Sequence, residues 1–342
     1  MSSNNSCDGA SSVESPTTLG IVISVALIVV IMLALAGNTV VCIAFYRSSN
    51  LQSLTVLFIL SLAVTDILVA SISMPIWLYF QFSHSSFTCL PDLFTAWKCL
   101  DVLFSTASIM NLCAISIDRQ FAITKPLHYH TIMTTKRALF ALTGISLYAV
   151  VLSGLVATRW SYYPLFIFIV AFISPLIVMI QAYSHIFKTA LMQARRVYPI
   201  RQAYYFKKEL KAAKTLAIVM GSFIACWAPF FLANLIVQYE NVKISPDTVT
   251  GIKFLHYVSS ALNPVIYSCT NREFRLKIFR VLPCKCGGRR NQVMMERVVF
   301  WTTSFSPSTG FGNSSFRQEV AAAVAKNEEI AQRKEMKRVS TA

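Results

Sequence analysis

Seven long apolar stretches dominate this chain of 342 residues, at about residues 19–45, 55–80, 95–122, 137–158, 162–187, 211–239 and 249–270. A helix needs roughly 20 mostly apolar residues to cross the hydrocarbon core of a bilayer, where each backbone amide must find its partner within the segment. The stretches do not alternate apolar and polar residues, as the strands of a β-barrel do. The sequence therefore predicts an all-α membrane protein, a bundle of seven transmembrane helices.

The composition argues against a water-soluble enzyme. Only 13% of the residues are charged and 55% are hydrophobic, whereas soluble domains carry roughly 25% charged residues. A net charge of +16 often indicates nucleic-acid binding. Here the Lys and Arg residues lie in short segments between the apolar stretches and in the C-terminal third of the chain. That distribution favours a membrane protein, and we expect no nucleic-acid partner.

The connecting segments indicate the orientation of the bundle. Lys and Arg are concentrated after the odd-numbered stretches, while the segments after the even-numbered ones are nearly balanced in charge. Because Lys and Arg remain on the cytoplasmic side, we expect the N-terminus outside and the C-terminus inside. Asn4 starts an Asn-x-Ser glycosylation acceptor in the predicted outer segment.

Four regions follow from this pattern. Residues 1–18 form an extracellular segment, residues 19–270 the helical bundle, and residues 287–342 a polar cytoplasmic tail that we expect to be disordered. Between the last two, residues 271–286 predict a short basic amphipathic helix on the membrane surface. Its end carries Cys284 and Cys286, which are either palmitoylated or two reduced cytosolic thiols.

A few ionisable residues interrupt the apolar stretches. A charge at the bilayer centre costs about 2.5–3.5 kcal/mol on insertion scales, so such residues usually serve a function. Asp66 and Asp101 lie inside their stretches, and Lys253 and His256 lie in the outer part of the seventh. Asp118 falls at the cytoplasmic end of the third stretch, where solvation alone is an alternative.

Four short motifs carry a family resemblance. They occur in order along the chain at Leu62–Asp66, Asp118–Gln120, Cys226–Phe231 and Asn263–Tyr267. The set resembles the signature motifs of rhodopsin-like (class A) G-protein-coupled receptors, and the resemblance extends over about residues 20–286. It implies a plasma-membrane receptor that activates a heterotrimeric G protein. By the same resemblance, arrestin, receptor kinases and membrane lipids are further expected partners.

Within that family the chain is similar to the biogenic-amine receptors for serotonin, dopamine, octopamine, histamine and trace amines. Asp101 precedes Arg119 by the spacing at which those receptors place the carboxylate that pairs with the ligand's ammonium. Aromatic side chains offer ring faces to the cation. The resemblance implies a small biogenic amine as ligand and a G protein of the type that stimulates adenylyl cyclase. The implied ligand-binding residues are Asp101, Val102, Ser105, Trp227, Phe230, Phe231, Lys253 and Tyr257.

The resemblance also implies two sites for signal transmission. No cofactor is expected apart from an allosteric sodium ion, since a carboxylate and hydroxyls suit a hard cation. The implied sodium pocket comprises Asp66, Ser108, Ser260 and Asn263. The implied activation switch comprises Asp118, Arg119, Tyr183, Glu209, Phe223 and Tyr267.

The chain departs from the family at its outer face. Phe94 stands where most members carry the third-helix cysteine of a disulfide, and the segment 159–163, which would supply the second cysteine, has none. The family bridge therefore cannot form. A bond between Cys7 and Cys89 is an open alternative outside the cell.

Lys253 is the second departure, one turn above Tyr257 on the same helix face. Three interpretations remain open at this point. Its side chain extends outward to solvent, pairs with Asp101, or receives an acidic group of the ligand.

Other functions remain as alternatives. Ile167, Phe168 and Ala171 stand where catecholamine receptors carry hydroxyl donors, so catechols become less favoured ligands. An orphan receptor of the same fold, with a non-amine ligand or constitutive activity, is the main alternative. A transporter would show discontinuous helices and repeat symmetry, and the sequence indicates neither. No enzyme motif such as Gly-x-Ser-x-Gly is present, so we expect a receptor rather than an enzyme.

Overall fold

The computed structural model describes residues 18–46, 54–82, 90–195, 199–239 and 244–270. Asn4, Cys7, Cys89, the predicted surface helix with Cys284 and Cys286, and the predicted tail lie outside these residues. The described elements are α1 (Thr18–Tyr46), α2 (Leu54–Leu68), a π-helical segment (Val69–Ser73), α3 (Met74–Phe82), α4 (Pro91–Thr124), a 3₁₀ turn (Pro126–His128), α5 (Tyr129–Ile132), α6 (Thr135–Val156), α7 (Tyr163–Ile167), a second π-helical segment (Phe168–Ile173), α8 (Ser174–Arg195), α9 (Pro199–Tyr239) and α10 (Pro246–Thr270).

These elements form the seven predicted spans. Among the described residues, six helical segments are long and apolar enough to cross a membrane: Thr18–Tyr46, Thr55–Phe82, Pro91–Thr124, Thr135–Val156, Tyr163–Thr189 and Met220–Tyr239. The seventh span is α10, which is less apolar because it carries Lys253 and His256. The prediction of an all-α seven-helix bundle is confirmed.

Several helices extend beyond the predicted stretches. α4 begins at Pro91 and α9 at Pro199, whereas the apolar stretches begin near residues 95 and 211. Hydropathy detects only the part of a helix that is apolar enough to lie in lipid. The helix itself extends beyond this part for as long as its backbone hydrogen bonds are maintained. The fourth span ends at Val156, slightly before the predicted residue 158.

The third span, α4, lies at the centre of the bundle, against α2, α6 and α8. α1 packs along α10, and the two helices lie close together at Gly37. A Cβ atom at this position would lie 3.0 Å from Cγ of Pro264. Large apolar side chains such as Val22, Met32 and Phe140 are exposed, as expected for surfaces that face lipid.

Four aromatic rings join α3 to the beginning of α4. Trp97 stacks on Trp77 and on Phe94, with ring centroids 5.2 and 5.5 Å apart, and Phe80 meets Phe94 edge to face at 5.7 Å. Trp97 Nε1 also donates a hydrogen bond to the Ser73 carbonyl at 3.0 Å. Phe94, at the position of the absent family cysteine, therefore belongs to a packed aromatic cluster. We call the end of the bundle at which α4 begins the upper end, and the opposite end the lower end.

Candidate ligand cavity and signalling switches

A cavity of about 790 Å³ opens at the upper end of the bundle, within the range typical of small-molecule sites. Its walls come from α3, α4, α7, α9, α10 and the turn that follows α6. Aromatic side chains form much of the lining, and its charged members are Lys98, Asp101, Arg159 and Lys253.

Asp101 holds the cation of Lys253 in this cavity. Asp101 is 4% exposed, and its carboxylate accepts hydrogen bonds from Lys253 Nζ at 2.7 Å and from the Tyr257 hydroxyl at 3.0 Å. Of the three interpretations of Lys253, the structure shows the pairing with Asp101. All three side chains are buried, so the pair is shielded from water.

Aromatic rings surround the ammonium group of Lys253. Its Nζ lies 4.4 Å from the ring centroid of Phe230, 4.8 Å from that of Trp97 and 5.4 Å from that of Tyr257. These distances fall within the range of cation–π attraction, which strengthens when the cation is desolvated. The cavity therefore provides a carboxylate and a ring cage for one ammonium group.

Seven of the eight predicted ligand-binding residues line the cavity: Asp101, Val102, Ser105, Trp227, Phe230, Phe231 and Lys253. Tyr257 is fully buried and is not part of the lining. Its hydroxyl instead fixes the orientation of the Asp101 carboxylate. Tyr257 is thus placed to act on a ligand through Asp101.

His256 also lines the cavity, and the predicted ligand-binding residues did not include it. Its Nε2 is hydrogen-bonded to Ser105 Oγ at 3.1 Å, and its ring lies 4.4 Å from that of Trp227 and 4.7 Å from that of Phe230. The sequence offered one indication of this position. His256 comes three positions after Lys253 and therefore shares the same face of the helix.

Stacked rings connect the cavity to the middle of the bundle. Phe231 packs on Phe172 at 5.0 Å, Phe172 on Phe223 at 5.6 Å, and Phe223 lies 6.3 Å from Trp227. Pro229 lies inside α9 just after Trp227, and proline removes one backbone hydrogen bond and bends a helix. A change at the cavity can therefore reach Phe223 through contiguous packing.

The four predicted sodium-pocket residues meet around Asp66 in the bundle core. Asp66 is fully buried and accepts hydrogen bonds from Ser108 at 3.2 Å and from Asn263 at 2.7 Å, and the buried Ser260 lies beside the same carboxylate. Asn111, three positions after Ser108, is buried, and its side chain has no hydrogen-bond partner among the described residues. A carboxylate beside two hydroxyls is a donor set that fits a hard cation.

At the lower end, Asp118 is the centre of a polar cluster. It is fully buried, so the alternative that solvent alone accounts for it is wrong. Its carboxylate accepts hydrogen bonds from Thr55 at 2.5 Å, Tyr129 at 2.6 Å and Arg119 at 2.8 Å. Arg119 also hydrogen-bonds Thr55. The predicted pairing of Asp118 with Arg119 is therefore present.

Tyr129 lies in the short helix α5, outside the spans. Burial, together with the hydrogen bond to Asp118 and the charge of that carboxylate, raises the pKa of Tyr129 above its usual value. Its hydroxyl therefore keeps its proton at physiological pH and remains a donor.

The other predicted switch residues are placed as follows. The Tyr183 hydroxyl accepts a hydrogen bond from Ser116 at 2.8 Å, and no hydrogen bond joins it to Arg119 among the described side chains. Phe223 is buried in the aromatic stack. The side chains of Glu209 and Tyr267 lie outside the part of the chain that the structure describes.

Comparison with known proteins identifies the family. The chain matches the family described as 7 transmembrane receptor (rhodopsin family) over residues 37–164 and 156–267. It therefore belongs to the rhodopsin family of seven-transmembrane receptors. Membership confirms a multi-pass membrane protein that is a receptor and not an enzyme.

The similar curated proteins are amine receptors by name. The chain is 36% identical to the histamine H2 receptor of Rattus norvegicus over 78% of this chain and 81% of that protein. It is 31% identical to the 5-hydroxytryptamine receptor 4 of Cavia porcellus over 89% of each. The D(1C) dopamine receptor of Xenopus laevis is 30% identical over 74% of this chain and 66% of that receptor. These matches agree with the predicted resemblance to the amine branch.

Proposed function

We propose that the chain is a cell-surface receptor that binds a small biogenic amine in the upper cavity and activates a heterotrimeric G protein. The observation that carries this proposal is Asp101, a buried carboxylate that already holds an ammonium group inside an aromatic cage. Charge-assisted hydrogen bonds are roughly twice as strong as neutral ones. An amine ligand would take the position of the Lys253 ammonium, while its ring would meet Trp227, Phe230 and Phe231.

Histamine and 5-hydroxytryptamine are the first ligands to test, since similar receptors are named for them. Ile167 lines the cavity without a hydroxyl, and Phe168 and Ala171 follow it. A site that lacks donors for a catechol does not strongly select one. By resemblance, the proposed G protein is the type that stimulates adenylyl cyclase.

The proposed transmission runs from the cavity to the lower end. The ligand shifts a two-state equilibrium to the extent that it binds the active state better. Movement at Trp227 and Phe223 would turn the lower part of α9 outward, and Arg119 would leave Asp118. By resemblance, Glu209 would pair with Arg119 at rest, whereas Tyr183 and Tyr267 would face it in the active state.

A sodium ion at Asp66 would favour the resting state. Ser108, Ser260 and Asn263 would hold the ion with Asp66, and the ion would neutralise the buried carboxylate. This proposal rests on the hydroxyl and amide groups gathered there.

We also propose a cellular location, covalent modifications and cytoplasmic partners for the receptor. We place the receptor in the plasma membrane with an extracellular N-terminus, glycosylated at Asn4 and palmitoylated at Cys284 and Cys286. Arrestin and receptor kinases would bind the cytoplasmic face by family resemblance, and membrane lipids would surround the spans.

The test is cyclic AMP output from cells that express the chain, challenged with a panel of amines. Asp101→Asn keeps the size of the side chain and removes its charge, so it is expected to raise the half-maximal amine concentration at least about a hundredfold. Asp92→Asn is the matched control, because Asp92 lies exposed at the beginning of the same helix. An amine response that survives Asp101→Asn would contradict the proposal.

The second candidate is a receptor whose ligand is not an amine, or one with constitutive activity. It is favoured by Lys253, which already occupies Asp101. High cyclic AMP without added amine, unchanged by Asp101→Asn, would favour this candidate.

A further inference from the structure

The charges on the cavity lining do not match a ligand that carries only a cation. Three basic side chains, Lys98, Arg159 and Lys253, line the cavity, and Asp101 is the sole carboxylate among the described residues that line it. Asp101 is already paired with Lys253. Lys98 and Arg159 are exposed near the cavity mouth and form no ion pair with a described residue. Among the described residues of the lining, positive charge is therefore in excess.

A simple amine would increase that imbalance. An amine that takes the position of the Lys253 ammonium at Asp101 Oδ2 displaces Lys253, whose buried ammonium would then lack its carboxylate partner. Removing one partner of a buried ion pair is strongly unfavourable, because the remaining charge is neither hydrated nor paired. Lys98 also lines the cavity, so a displaced Lys253 ammonium would meet a second cation there.

A ligand with an acidic group beside its amine removes this difficulty. Its ammonium would bind Asp101 and its carboxylate would bind Lys253, so that every one of these charges has a partner of opposite sign. In an α-amino acid both groups are attached to a single carbon, which suits two partners that lie 2.7 Å apart. Lys98 would stabilise the same carboxylate from the side of the mouth. The net charge of the cavity would not change.

The remaining lining favours an aromatic side chain on this ligand. Trp227, Phe230 and Phe231 lie on the α9 side of the cavity, where a ring can stack in their offset geometry. His256 Nδ1 and Trp227 Nε1 are buried and have no hydrogen-bond partner among the described residues. Both nitrogens belong to residues of the lining. They would form hydrogen bonds with polar atoms on the ligand's ring.

We infer that the ligand of this cavity is a small aromatic zwitterion of the amino-acid class, with its ammonium on Asp101 and its carboxylate on Lys253. This inference rests on the proposed amine site at Asp101 and adds the acidic group to its ligand. It assigns Lys253 a role in selecting the ligand.

Matched pairs of an amine and its parent amino acid test this inference, because the two differ by one carboxylate. The pairs are histamine and histidine, tryptamine and tryptophan, and tyramine and tyrosine. Cyclic AMP is measured in cells that express the full chain and are kept in amino-acid-free buffer. In at least one pair, the amino acid is expected to act at a concentration about tenfold or more below that of the amine.

Lys253→Gln is expected to reverse the order within that pair. The amino acid loses the partner of its carboxylate, and the amine no longer has a cation to displace, so the potency ratio shifts by about a hundredfold. The matched control is Lys188→Gln, since Lys188 is exposed on α8 far from the cavity lining and should leave the ratio unchanged. Asp101→Asn should raise the half-maximal concentration of both members at least about a hundredfold.

Two outcomes would overturn the inference alone and leave the amine site standing. One is a wild-type chain that prefers the amine in every pair. The other is a preference for the amino acid that Lys253→Gln leaves unchanged. Silence toward both members of all pairs and toward the whole amine panel, with the chain detected at the cell surface, would overturn the inference and the proposed function together.

Discussion

At the scale of single residues, Asp101, Lys253 and Tyr257 act as one unit. The carboxylate bridges an ammonium and a hydroxyl from the same face of α10. Each contact limits the freedom of the others, so the orientation of Asp101 is set before a ligand arrives. Such a preorganised group loses little entropy on binding.

The variant Tyr257→Phe tests whether the Tyr257 hydroxyl orients the Asp101 carboxylate. The variant keeps the ring and removes one hydrogen bond to Asp101, and a hydrogen bond to a charged group contributes roughly 1.5–3 kcal/mol. We expect the half-maximal ligand concentration to rise about tenfold or more, measured as cyclic AMP output. Tyr79→Phe, at a half-exposed tyrosine of α3, is the control. Equal behaviour of the two variants would contradict a role for Tyr257.

Tyr129→Phe probes the cluster at the lower end. Tyr129 donates to Asp118 at 2.6 Å, and its raised pKa keeps it a donor across the physiological range. Loss of a hydrogen bond worth roughly 1 kcal/mol or more should shift the two-state equilibrium several-fold toward activity. Basal cyclic AMP is expected to rise, while Tyr46→Phe, at an exposed tyrosine, leaves it unchanged. A basal level that stays at the wild-type value would contradict this role.

The sequence singled out Asp101 as a charge inside an apolar stretch, and the family resemblance implied its role as the ammonium partner. Neither fixed the position of Lys253. Whether Lys253 reaches Asp101 depends on how closely α4 and α10 approach, and no local pattern specifies that distance. The same limit applies to His256, whose contact with Ser105 crosses between these two helices. The resemblance implied the contacts between helices around Asp66, whereas the contacts of Lys253 and His256, which it did not place, needed the structure.

At the scale of elements, aromatic packing joins α3 and α4 around Phe94, the position of the absent family cysteine. Trp77, Phe80, Phe94 and Trp97 form stacked and edge-to-face pairs. Pairs of this kind contribute about 0.5–1.5 kcal/mol each beyond the burial of their area. The cluster also brings Trp77 and Trp97 beside the ammonium of Lys253, so the same packing shapes the cavity.

Gly37→Val tests the packing of α1 on α10. A Cβ at Gly37 would lie 3.0 Å from Pro264, and overpacking of this kind costs about 1–3 kcal/mol. The purified receptor in detergent should therefore show a lower melting temperature. Gly144→Val carries the same change on a helix where a Cβ meets nothing within 4 Å. Equal melting temperatures for the two variants would contradict this close approach.

At the scale of the whole molecule, hydropathy predicted the number and order of the spans. It placed helix ends less well, because α9 begins at Pro199 and not near residue 211. The charge pattern gives the proposed orientation, since Lys and Arg follow the odd-numbered spans. Both patterns come from the lipid environment and do not depend on contacts between helices.

The orientation can be tested in intact cells. An epitope attached before Met1 should bind antibody without permeabilisation, whereas one attached after Ala342 should need it. Asn4→Gln should remove a glycan and increase mobility in gel electrophoresis. Staining in the opposite order would contradict the proposed topology.

The most direct test of the account is whether the cavity recognises a cation. Binding to the purified full-length chain is measured for the most potent amine or amino acid and for its analogue with a hydroxyl in place of the ammonium. We expect the analogue to bind at least about a hundredfold more weakly, because it cannot replace the Lys253 ammonium at Asp101. Equal affinity of the two compounds would contradict the account.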